Sequence, residues 1–92
     1  MVKVQARREG AGWRCEVAVE DQGRHTVHSV TVSDADLERW SRGLETEDVE
    51  DLVVRSFEFL LEREPADSIL RSFDLSVIPR YFPEYDRVFR QR

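Results

Sequence analysis

At 92 residues the chain is long enough for one hydrophobic core and too short for two. Its 40% hydrophobic and 36% charged residues, with only four Gly and three Pro, exclude a disordered chain, and no apolar run approaches the ~18 residues of a membrane helix. The net charge of −5 is concentrated in residues 34–62, where ten acidic side chains face three basic ones, so the middle of the chain repels nucleic acid and attracts a basic protein surface.

The opening Met1-Val2-Lys3-Val4-Gln5 reads as a strand rather than a signal peptide. A lone cysteine, Cys15, excludes an internal disulfide and a multi-cysteine zinc site, and a cytoplasmic protein is expected. Val2, Val4 and Ala6 alternate with Lys3, Gln5 and Arg7, the period of a half-buried strand. Gly10-Ala11-Gly12 turns the chain into a second alternation through Trp13, Cys15, Val17 and Val19. Asp21-Gln22-Gly23 is a loop to a third strand, Arg24 to Val32.

Pairing about the first turn places Val2 opposite Val19, Val4 opposite Val17, Ala6 opposite Cys15, and Arg8 opposite Trp13 in a cation–π contact. Pairing about a three-residue second loop places Val17 opposite Val27 and Val19 opposite His25. Val30 and Val32 then fall in the wrong parity, and a one-residue bulge near His28-Ser29 is expected to restore them to the buried face. The same pairing puts His28 on the open face, across from Glu16.

Ser33 is expected to cap a short helix with Leu37 and Trp40 on its face and Gly43 as its stop. Thr46 caps a longer one, with Glu47 and Asp48 at the positive end of its dipole. Val49, Leu52, Val53, Phe57, Leu60 and Leu61 recur at helical spacing, while Glu50, Asp51, Arg55, Glu58 and Glu62 face away. Val54 and Phe59 lie outside the central stripe, so the apolar surface is wider than the sheet needs. Glu64-Pro65 breaks the helix. A last short helix is expected to start at a Ser76 cap rather than at Asp74, because Pro79 then falls in the first turn. Pro83 ends it, and residues 87–92 form a fraying basic tail.

The expected fold is therefore a single α+β domain over residues 1–92. It consists of a three-stranded antiparallel meander (1–32), a helical pair of one short and one long helix (33–63), and a short helical lid (64–86) packed with them on one face of the sheet. Cys15 with His25 and His28 is the only grouping that suggests a metal or a nucleophile, and Cys15 reads as a small apolar core residue. Glu45, Glu47, Asp48, Glu50 and Asp51 lack the spacing of a calcium loop. No catalytic residue, metal or cofactor is expected.

Residues 65–85 also have the outline of a helix-turn-helix: an apolar first helix, a Leu75-Ser76 turn and a second helix presenting Arg80. Two prolines, the lack of a basic cluster and the acidic whole count against it. Phe57-Glu58-Phe59-Leu60-Leu61-Glu62-Arg63-Glu64-Pro65, Ser68-Ile69-Leu70, Phe73-Asp74-Leu75, Ile78 and Tyr81-Phe82-Pro83-Glu84-Tyr85 resemble a group of small uncharacterised bacterial proteins, a likeness that carries no activity. The strand and helix order resembles, at fold level only, the ferredoxin-like part of HicB-type antitoxins, which bind a small basic toxin.

The leading expectation is a non-enzymatic protein-interaction module, a homodimer among its forms. It would engage an unknown protein partner, or itself, through the acidic helices or the free sheet edges, with Glu47, Asp48, Glu50, Asp51, Val54 and Phe59 as the interface. The alternative is a DNA-binding or antitoxin-like regulator using Arg71 and Arg80.

Overall fold

The structure, a computed structural model, describes residues 1–90. Strands β1 (Val2–Glu9), β2 (Gly12–Asp21) and β3 (Arg24–Ser33) form the antiparallel meander. Helices α1 (Asp34–Trp40) and α2 (Thr46–Leu61) follow. The chain then makes a 3-10 turn at Ala66–Ser68, strand β4 (Ser72–Asp74), a second 3-10 turn at Leu75–Val77, and helices α3 (Ile78–Tyr81) and α4 (Glu84–Phe89). The architecture is α+β, with one mixed sheet of order β1-β2-β3-β4.

The first hairpin has the expected register, Val4 opposite Val17 and Ala6 opposite Cys15, about a two-residue Gly10-Ala11 turn. Gly10 takes a φ of 61°, which costs a residue without a Cβ little. The second register differs from expectation by one residue. Val17 faces His28, Cys15 faces Val30 and Asp21 faces Arg24, in an unbroken ladder with no bulge at His28-Ser29. The reason is the loop: only Gln22 and Gly23 are unpaired, both at positive φ (53° and 78°), the signature of a type I′ turn whose twist matches that of the strands. One residue less in the loop reverses the faces of β3. Thr26, His28, Val30 and Val32 point inward, and Val27 is 53% exposed.

The fourth strand was not expected. The crossover through α1 and α2 returns the chain parallel to β3, where Ser29 donates its N–H to the Arg71 carbonyl (2.8 Å) and Thr31 donates its hydroxyl to Asp74 (2.6 Å). The β3 edge is therefore covered along Ser29–Thr31, not free. The β1 edge is partly closed too, since Glu50 of α2 accepts the Ala6 N–H at 2.9 Å.

Ser33 caps α1 as expected, accepting from the Asp36 N–H at 3.1 Å, but the C-cap is Ser41 rather than Gly43. Glu45, not Thr46, is the N-cap of α2, and Asp48 reaches back to accept the Glu45 N–H at 3.0 Å. Asp74, not Ser76, caps the turn before α3, accepting from both the N–H (3.1 Å) and the hydroxyl (2.6 Å) of Ser76. Pro79 does not oppose this, because the intervening turn is 3-10 and the α-helix begins only at Ile78.

The inward faces of β2 and β3 share one core with Leu37, Trp40, Val49, Leu52, Val53 and Phe57. The wide apolar face of α2 is filled from within the chain. Phe59, 6% exposed, meets Phe82, Tyr85 and Phe89 edge-on at 6.1, 5.3 and 5.8 Å. Tyr85 stacks on Phe89 at 4.2 Å and takes the edge of Trp40 at 5.0 Å. Ser56 donates to the Leu52 carbonyl (2.7 Å), which leaves its oxygen to accept the Tyr85 hydroxyl (2.7 Å), and Trp40 donates to Asp86 (2.9 Å). Residues 87–89, expected in the tail, thus belong to a docked helix, while 91–92 lie outside the described residues.

Phe89→Ala should lower unfolding free energy by about 3–5 kcal/mol in urea denaturation, the range for a buried aromatic truncated in a packed core. A change below about 1 kcal/mol would mean that α4 is not docked.

Candidate functional site

The register correction decides the first candidate. His28 is 2% exposed and packs on the Phe57 ring at 5.1 Å. Its Nδ1 lies 2.7 Å from the Leu70 carbonyl, which can only accept, so Nδ1 carries the proton. Nε2 then accepts from the Thr26 hydroxyl at 2.9 Å. Burial holds this imidazole below its ordinary pKa, with the positive charge of Arg71 acting in the same direction.

Cys15 is also buried, its thiol pushed up to about 12 by burial and by the charge of Glu50. His25 lies on the opposite face of β3, near Glu20 at 3.9 Å. The three side chains are therefore not one site. Among the described residues no three His, Cys, Asp or Glu side chains are grouped to hold a metal ion.

The acidic candidate surface is largely occupied by the fold itself. Asp48 serves the N-cap and Glu50 accepts one N–H, that of Ala6, on the β1 edge. Asp51 pairs with Arg55 at 2.9 Å and with Arg42 at 3.9 Å. Glu47 remains exposed. Val54 is half-buried, and Phe59 lies inside the α4 cluster rather than on an interface.

The helix-turn-helix outline fails on geometry: β4 stands where the first helix should continue, and α3 has four residues, too few to cross a groove. Arg71 and Arg80 are exposed, but the Arg71 backbone is fixed to β3.

What residues 60–82 do build is a groove. Leu60 at the end of α2, Ile69, Phe73, Val77, Ile78 and Phe82 wall an apolar cleft of about 250 Å³, with Glu64 and Ser68 as its polar members and Leu70 and Tyr81 at its rim. Leu70 is 51% and Tyr81 69% exposed. β4 places Phe73, the Asp74-capped turn places Val77, and the break at Pro65 brings Glu64 to the cleft. Glu64 makes no side-chain hydrogen bond or ion pair among the described residues, and burial holds its carboxyl above the usual carboxylate range. A second hollow, at Arg8, Trp13, Asp34, Glu38 and Leu44, is closed on itself electrostatically. Arg8 binds Asp34 through two hydrogen bonds (2.7 and 2.8 Å) and lies over the Trp13 ring at 5.3 Å.

The chain matches no protein-family model, and no curated protein or solved structure matches it significantly. No helix among the described residues is long and apolar enough to cross a membrane.

Two outcomes follow from the buried pair. Unfolding free energy should fall as pH drops from about 7.5 to about 5.5, because the unfolded histidine binds a proton that the buried one refuses; the contribution of His28 is complete above the unfolded pKa and is lost as the pH falls below it through the lower folded one. Chemical denaturation of wild type and His28→Gln across that window checks this, and an identical slope in both would remove His28 as the cause. Cys15 should resist a thiol reagent in the native state and react only on unfolding; native labelling at the unfolded rate would contradict its burial.

Proposed function

We propose that the protein is a small non-enzymatic binding module that engages a protein partner through the groove beside β4 and α3. The observation that carries this reading is the exposure of Leu70 and Tyr81 on the rim of an apolar cleft, in a chain that packs most of its other aromatic side chains into ring contacts. The titratable core groups support it from the other side. His28 and Cys15 are enclosed, His28 is fully hydrogen-bonded, and neither lines the cleft. Among the cleft's lining residues only Glu64 bears a charge, and the other polar groups there are the Ser68 and Tyr81 hydroxyls, with no histidine, cysteine or second carboxylate in the lining.

The surface differs from the one expected along the acidic helix, whose carboxylates are mostly held by internal partners. Tethered wild-type protein should retain a partner from a lysate of the source organism that Leu70→Asp and Tyr81→Asp lose and Glu47→Gln keeps. Both rim positions are exposed enough for these variants to fold. Retention indifferent to the rim substitutions, or a captured partner lost with Glu47→Gln, would sink the reading.

A further inference from the structure

The groove's chemistry specifies more than an apolar partner. We infer that it receives a peptide segment bearing one bulky apolar side chain beside an Arg or Lys, the apolar side chain filling the cleft and the cation meeting Glu64. This rests on the binding-module reading above and adds the chemical class of the ligand.

Size is the first argument. Cofactor and small-molecule sites occupy about 300–1,000 Å³, and this open cleft, at about 250 Å³, lies below that range and has room for a bulky apolar side chain. Its apolar walls would desolvate that anchor, and the exposed Leu70 and Tyr81 would cover its flanks.

Charge is the second argument. Glu64 stands at the cleft without a cation of its own among the described residues. Its neighbour Arg63 is committed elsewhere: the guanidinium lies over the Phe59 ring at 3.5 Å and donates to the Phe59 carbonyl (2.9 Å), Glu84 (3.2 Å) and Glu62 (3.3 Å). Leu60 lies in the last turn of the 16-residue α2 and Glu64 just beyond it. The Phe59 carbonyl there is taken by the Arg63 guanidinium and the Leu60 carbonyl by the Arg63 and Glu64 N–H groups, so the Glu64 carboxylate, rather than the helix end, is what would meet a cation. Arg71 and Arg80 are exposed but do not line the cleft. Tyr81 completes the complement, since at 69% exposure it is available for a cation–π contact with a guanidinium or ammonium group. The raised Glu64 pKa has burial as its only cause, which is the condition a bound cation relieves.

A random peptide phage library panned on the intact chain, with Glu64→Gln panned in parallel, tests this. Wild-type selection should enrich peptides with a large apolar residue within two positions of Arg or Lys. The best synthetic peptide should shift the amide resonances of Ile69, Leu70, Ile78 and Tyr81 and lower the Glu64 pKa. Its affinity should fall about tenfold for Glu64→Gln, while the same peptide with its basic residue replaced by Gln should bind both proteins equally. Peptides that fill the groove without a basic residue, or that ignore Glu64→Gln, would overturn the ligand class and leave the groove reading standing. If no peptide shifts the groove resonances of the folded protein, both fall. A concentration-dependent mass abolished by Tyr81→Asp would show the groove filled by a second copy, and would overturn a separate peptide partner.

Discussion

The two-residue turn at Gln22-Gly23 is the constraint on which the rest depends. Strand side chains alternate with a period of two, so the length of that turn alone decides which half of β3 enters the core. With two residues in the turn, His28 faces inward, and its Nδ1 proton finds the Leu70 carbonyl on a segment 42 residues away. That bond and the adjacent Ser29-to-Arg71 bond hold the returning chain against β3, and β4 forms there. Leu70, projecting from the same short stretch, becomes the rim of the groove. The path from local turn geometry to candidate site passes through one buried imidazole.

The docked C-terminal helix answers a different demand. An α2 with apolar residues around much of its circumference needs covering on two sides, and the sheet covers only one. Tyr85 and Phe89, four positions apart on α4, supply the second cover, with Trp40 and Phe59 completing the cluster. The apolar surface that seemed to call for a partner is thus satisfied internally. Unsatisfied apolar surface lies farther along, where the segment after Pro65 packs incompletely against the end of α2 and leaves the cleft.

Much of the first half was legible. Alternation and the Gly10-Ala11 turn specified the β1–β2 register pair by pair, and the apolar spacing of α2 identified the core helix. The β2–β3 register was missed by one residue because a type I′ turn is usually signalled by Asn-Gly or Asp-Gly, whereas here Gln22 takes the left-handed conformation that its side chain does not favour. β4 was illegible because three residues carry no periodicity, and it exists only through its hydrogen bonds to β3. The Tyr85 and Phe89 spacing was a usable signal, obscured by the arginines around it. Glu64 read as the residue that breaks a helix before proline. Only the tertiary fold shows that the same break places Glu64 in the lining of an apolar cleft.

The central claim, that a two-residue turn sets the register and the register recruits β4, is tested most directly by cross-strand nuclear Overhauser contacts in the labelled protein. The account predicts pairing of Val17 with His28 and of Ala18 with Val27, together with parallel β3–β4 contacts between Val30 and Phe73. Pairing of Val17 with Val27 and an interrupted ladder at His28-Ser29, without contacts from Val30 to Phe73, would contradict it.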